Sequence, residues 1–197
     1  VVEGQSGFDT MLFNGSNGGE IFDISANGGR VSFTRNIGAI VMDLDNIESI
    51  DLNTFGNVDS VVVRDLAGTD VKEVNINLAA FGGIGDAQLD DVILIGTSGR
   101  NVVQVAGDGS AASVTGLAAT VNISGAEPAN DRLTVNGFKL FERGAPLPFD
   151  ADQVSTSIRD QRETKVVLEF SEGDASVRFL TTDLTAEYVR LNADYHT

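Results

Sequence analysis

The chain has 197 residues, 42% of them hydrophobic, with 29 acidic against 13 basic side chains, a formal net charge of −16 and no Cys. That charge argues against nucleic acid and anionic membrane surfaces, which would repel it, and favours a cation, a basic partner or plain solubility. The lack of Cys removes a disulfide framework, a thiolate zinc site and a Cys nucleophile together. No apolar run approaches the roughly 20 residues of a spanning helix, so membrane insertion is not expected.

From the N-terminus, Val1-Val2-Glu3-Gly4 lacks the basic start and apolar segment of a signal peptide, and Val1 in place of Met reads as a mature form or an excised domain. Short β-branched runs follow at Thr10–Phe13, Ile21–Ile24, Val31–Thr34, Ile40–Leu44, Ile47–Leu52, Val61–Val63 and Val74–Ile76. They sit about ten residues apart, with Asn, Gly or Asp at nearly every break, which is the pattern of an all-β architecture. Ile21-Phe22-Asp23-Ile24 and Val71 to Leu78 alternate apolar with polar, so one face enters a core and the other meets water. Asn14-Gly15, Asn17-Gly18-Gly19, Asn27-Gly28-Gly29 and Gly82-Gly83 supply corners that permit positive φ.

After a long break at Ala79–Asp90 come Asp91–Ile95, Asn101–Val105, Ala112–Thr115, Thr120–Ile123 and Arg132–Val135. Strand pairs recurring every 20 to 25 residues suit one coil of a solenoid, and the expected fold is a right-handed parallel β-helix over residues 1–137. Composition changes beyond it: 20 of 22 glycines lie in residues 1–137, and both tyrosines, Tyr188 and Tyr195, lie in 138–197. Pro146 and Pro148 interrupt pairing near the boundary. Residues 138–197 read as a small α+β C-terminal cap or assembly region. A helix is expected from Asp150 through Arg162, a hairpin from Lys165–Phe170 and Ala175–Leu180, and a last helix from Asp183 toward Asn192.

Gly7-Phe8-Asp9-Thr10-Met11-Leu12-Phe13-Asn14-Gly15, with Phe22 to Val31, Asp43 to Glu48, Asp65 to Val71 and Leu117 to Ile123, resembles the non-nonapeptide β-helical segment of bacterial haemolysin-type, RTX-related calcium-binding proteins. The resemblance implies secretion, calcium and an extracellular role. The calcium code of that family, Gly-Gly-x-Gly-x-Asp every nine residues, survives here only as the degenerate Gly4-Gln5-Ser6-Gly7-Phe8-Asp9 and a poorer copy ending at Asp23.

Asp9 is therefore one candidate metal ligand. The loop Gly82 to Asp91 offers Asp86, Asp90 and Asp91 beside flexible glycines, the hard oxygen ligands that calcium takes. The bland reading is a solvated acidic loop in which Asp90 caps a strand start. Asp43, Asp45, Glu48 and Asp51 form a second acidic group that could stack on one face, where like charges repel unless a cation intervenes.

No catalytic constellation stands out. Lys and Arg in residues 1–137 are scattered, Arg30 and Arg35 being the one close pair, and His196 is penultimate, a poor place for a general base. The expected function is a non-enzymatic extracellular structural or adhesive module whose folding or assembly calcium assists, with calcium ions, self-association or a cell-surface polysaccharide as partners. Alternatives are a self-assembling filament or surface-layer subunit, and a polysaccharide-binding or uronate-lyase β-helix. Sugar platforms usually need exposed aromatics, and this chain has no Trp and two Tyr.

Overall fold

The computed structural model describes residues 1–97, 101–107 and 110–135, and beyond them the backbone of four further strands. The strands are β1 (Val2–Glu3), β2 (Thr10–Ser16), β3 (Ile21–Asn27), β4 (Arg30–Arg35), β5 (Ile40–Asp45), β6 (Ser49–Phe55), β7 (Ser60–Val63), β8 (Glu73–Asn77) and β9 (Asp91–Leu94). They continue with β10 (Asn101–Gly107), β11 (Ala112–Thr115), β12 (Thr120–Ser124), β13 (Arg132–Val135), β14 (Phe138–Glu142), β15 (Ala145–Pro146), β16 (Thr164–Phe170) and β17 (Ser176–Arg178). A 3-10 turn at Ile37–Ala39 is the one helical element among the described residues.

Two mixed sheets face each other across the core. One runs in the order β1-β5-β4-β3-β7-β9-β13-β14-β15, the other β17-β16-β10-β11-β12-β8-β6-β2. Period-2 alternation sets the inner rows. In the first sheet Phe22, Val61, Val92 and Leu133 lie in register, as do Ile24, Val63, Leu94 and Val135. In the second, Met11, Ile50, Val74 and Val121 form one row, and Phe13, Leu52, Ile76 and Ile123 another. All but Phe13 are buried, and Phe13 packs against the same cluster from a half-buried position.

The closed right-handed parallel β-helix expected over residues 1–137 does not form. Parallel pairs join β2, β6, β8 and β12 in one sheet and β3, β7, β9 and β13 in the other, but β3–β4, β4–β5, β10–β11, β11–β12 and β13–β14 are antiparallel. The local cause is visible at Asn27-Gly28-Gly29-Arg30. Gly28 takes φ +68°, and this tight turn sends β4 back along β3 with Asn27 opposite Arg30, as two-residue hairpin loops do, instead of carrying the chain onward. β14 and β15 extend the first sheet, and β16 and β17 the second. The helices expected at 150–162 and 183–192, and His196, lie outside the described residues.

The returning strands seal one end of the core. Val31 and Phe33 of β4 and Leu44 of β5 are buried, and Phe33 stands 4.8 Å from Phe13 and 6.0 Å from Phe22 between ring centroids. Outside, the second sheet carries amide ladders: Asn53 donates to Asn14 (2.8 Å) and Asn77 to Asn53 (3.1 Å), while Asn75 donates to Asp51 (2.8 Å) and Asn122 to Asn75 (2.9 Å). Truncating Phe33 to Ala should cost about 3–5 kcal/mol in urea unfolding. Val41→Ala, at a side chain 75% exposed on the adjacent strand, should stay within about 0.5 kcal/mol; equal losses at the two positions would refute the sealing role.

Candidate functional site: a buried carboxylate column

The four strands β3, β7, β9 and β13, which pair in parallel within the first sheet, are each entered through an acid. Glu20 precedes β3, Asp59 β7, Asp90 β9 and Asp131 β13, with relative exposures of 1%, 1%, 2% and 9%. The chain crosses from one sheet to the other at these corners, so the entering N–H has no strand partner and needs another acceptor. The next rung supplies it: Glu20 N–H donates to Asp59 Oδ1 (2.8 Å), Asp59 N–H to Asp90 Oδ1 (2.8 Å), and Asp90 N–H to Asp131 Oδ1 (3.0 Å). Backbone bonds return the favour, from Ser60 N–H to the Glu20 carbonyl and from Asp91 and Arg132 N–H to those of Asp59 and Asp90, each 2.9 Å.

Both ends of the column are tied off. Glu20 accepts from Ser16 N–H (2.9 Å) and Ser16 Oγ (3.0 Å) and is ion-paired with the Arg35 guanidinium of β4. Gly15 is required beside it, because a Cβ there would overlap Glu20 Oε2 and the Thr54 carbonyl. At the far end Asp131 Oδ2 accepts from Glu127 N–H (2.6 Å), Glu127 accepts from Asp86 and Ala87 N–H (2.9 and 2.8 Å), and Asp86 accepts from Asn57 N–H (2.5 Å) and Gln88 N–H (2.9 Å).

Four acids one strand apart, about 4.8 Å, would repel by roughly 3 kcal/mol per neighbouring pair if all were ionised at an effective dielectric near 20. Burial pushes the Asp59 carboxyl up to about 7, aided by the charges of Glu20 and Asp86 and opposed by the Glu20 N–H. It pushes Asp90 up to about 8, where Asp131, Asp59 and Asp86 add to the shift. Asp131 is raised as well, again chiefly by burial. Asp59 Oδ2 has no hydrogen-bond partner. Groups this enclosed cannot touch a substrate; they hold corners.

The four predicted metal ligands do not converge. Asp90 lies in the column and Asp86 in the loop beside it. Asp91, the next residue along, points to the opposite face and pairs with Arg132 at 2.6 Å. Asp9 enters β2 at a corner of the other sheet, where its N–H donates to Glu48 at 2.7 Å. Among the described residues no three His, Cys, Asp or Glu side chains are arranged to hold a metal ion. The second acidic group is also spoken for: Asp43 and Asp45 pair with Arg30 at 2.9 and 3.1 Å, and Asp51 accepts from Asn75 and Ser49.

Glu20, Asp59, Asp131, Glu127 and Arg35 escape sequence reasoning. The signal for Glu20, Asp59 and Asp131 is an acid just before a β-branched run, and spacings of 39, 31 and 41 residues between rungs hide the recurrence. Removing Arg35 strands a buried carboxylate, so Arg35→Met should destabilise by about 3–5 kcal/mol. Adding Glu20→Gln should recover most of that loss in chemical denaturation; a double variant no better than the single would show that the pair does not act as one.

A family model and curated relatives place the chain among known proteins. The ArgJ family model matches residues 95–197. Curated relatives include the arginine biosynthesis bifunctional protein ArgJ of Rhodopirellula baltica, 37% identical over 71 residues, 36% of this chain and 17% of that protein. The protein of the same name from Syntrophotalea carbinolica is 30% identical over 139 residues, 70% of this chain and 34% of that one. The glutamate N-acetyltransferase of Methanopyrus kandleri is 41% identical over 54 residues, 27% and 14% of the two chains. The chain thus spans about a third or less of the length of these relatives. No solved structure matches it.

These findings overturn the haemolysin-type, RTX-related resemblance, which rested on short β-branched runs and Asn-Gly corners that many strand-rich chains share. The non-enzymatic structural or adhesive module, its filament and polysaccharide alternatives and the extracellular location fall with it, since the relatives are named as enzymes, the arginine biosynthesis bifunctional protein ArgJ and a glutamate N-acetyltransferase. No helix among the described residues is long and apolar enough to cross a membrane. With 103 of its 197 residues matched by the family model, the chain belongs to the ArgJ family.

Proposed function

We propose that the chain serves the acetylation of glutamate in arginine biosynthesis, as one portion of a larger catalytic assembly. The family match over residues 95–197 carries this reading, and the name of the Methanopyrus kandleri relative, a glutamate N-acetyltransferase, supplies the reaction. In that reaction the α-amino nitrogen of glutamate attacks the acyl carbon, the new amide bond forms as the bond to the donor breaks, and the proton leaves with the donor group or to a base.

Residues 1–94 act in this scheme as a frame. β12 pairs in parallel register with β8, and β13 with β9, so two strands of the family-matched stretch are hydrogen-bonded to strands outside it. A glutamate substrate brings two carboxylates that call for cations. Arg30, Arg35, Arg64 and Arg132 are already held by Glu3, Asp43 and Asp45, by Glu20, by Asp23 and by Asp91 respectively. Among the described cations that leaves Lys72, which is exposed, with the rest of the assembly to supply the others.

The test is a graft. Residues 95–197 replace the corresponding stretch of the Syntrophotalea carbinolica protein, and N-acetylglutamate formation is measured by mass spectrometry. A working portion should retain activity within about tenfold, a loss of roughly 1.4 kcal/mol in the barrier. A graft that is folded by circular dichroism yet forms no N-acetylglutamate above background would sink the proposal.

A further inference from the structure

Among the described residues the carboxylate column carries more acid than the cations around it neutralise. Asp59 is enclosed by Glu20 on one side and Asp90 on the other, with Thr54 of β6 and Asp86 of the 79–90 loop facing it. Asp90 is flanked by Asp59 and Asp131, with Asp86 beyond. Glu127 adds its charge at the Asp131 end. The cation touching this group among the described residues is Arg35, and it is bound to Glu20 at the end of the row. Asp59 Oδ2 lies in a side chain 1% exposed and has no partner.

We propose that the column is a proton-holding joint: Asp59 and Asp90 hold protons in the folded chain at mildly acidic pH, and losing them as pH rises through neutrality opens the row of corners that links the two sheets. One oxygen of each carboxyl continues to accept a backbone N–H when the other carries a proton, so the hydrogen-bond chain is compatible with the neutral acid. The charged form keeps those bonds but adds neighbouring negative charges in a site closed to water.

The pH dependence has a definite sign. Both carboxyls are raised above the ordinary value near 4, Asp59 to about 7 and Asp90 to about 8, so the folded state binds more protons than the unfolded one between those limits. Stability then falls as pH rises from about 4 through 8 and levels off above. The first segments to open should be those entering the column, residues 16–20, 56–59, 86–90 and 127–131, because their N–H groups end on it.

The full chain is melted by far-UV circular dichroism at steps from pH 6 to pH 9, beside Asp59→Asn, Asp90→Asn and the double variant; an amide keeps the acceptor oxygen and cannot ionise. Wild type should lose more than about 5 °C in Tm across that range, each single variant less, and the double variant only what Asp131 still contributes. The infrared carbonyl stretch of a buried protonated carboxylic acid should be present in wild type at pH 6, absent at pH 9 and missing from the double variant. Two outcomes overturn the proposal: a wild-type Tm that does not fall with pH, or an infrared spectrum at pH 6 without that stretch. The second reading is taken on wild type alone, so poor folding of a variant leaves it intact.

Discussion

A chain that passes repeatedly between two sheets must leave one and enter the other, and each entry exposes a backbone N–H whose natural acceptor is behind it. The fold depends on meeting that demand at Glu20, Asp59, Asp90 and Asp131, all out of reach of bulk water. Carboxylates accept strongly and reach one strand across, which suits them to the geometry. They also bring charge into a place that cannot solvate it. The molecule meets the cost with one arginine at an end, backbone donors along the row, and carboxyls whose proton affinity is raised by burial.

The core makes the complementary contribution. Rows such as Ile24, Val63, Leu94 and Val135 stack one apolar side chain per strand, so that neighbouring strands share their burial. The antiparallel return of β4 and β5 then closes over Phe13 and Phe22. Without that return the apolar rows would end in a bare layer facing water, the liability of any stacked-strand architecture. Strained corners sit beside the column: Phe55 and Asn57 hold φ values of +72° and +88°, a region costing about 1–3 kcal/mol each for such residues, and the Asp86 carboxylate fastens the Asn57 N–H.

Much of the local structure was legible in the sequence. The runs at Thr10–Phe13, Ile21–Ile24, Val61–Val63, Val74–Ile76 and Thr120–Ile123 fall within β2, β3, β7, β8 and β12, because alternation over a half-buried surface is written directly into residue order. The direction of pairing was not. A Gly-rich corner permits both a hairpin and a crossing, and at Asn27-Gly28-Gly29 the choice went to the hairpin through a tight turn with Gly28 at positive φ. The candidate site was half visible: Asp86 and Asp90 stood out as acids near glycines, whereas Glu20, Asp59 and Asp131 looked like ordinary surface charges until register brought them together. Family membership was masked by the strand-rich first half, which supplied distinctive phrases of the wrong lineage.

The amide ladders carry a consequence for how such a chain can change length. Asn14, Asn53 and Asn77 bond to one another across in-register strands, and the same register aligns the apolar rows on the inner side. A single inserted residue inside a strand would break both alignments at once. The segments between rungs already differ, 39, 31 and 41 residues from one column acid to the next. The two longer segments owe their length to whole added strands, β4 with β5 and β10 with β11, so chains of this build should vary by gaining or losing such antiparallel pairs between rungs while the parallel rows keep their register.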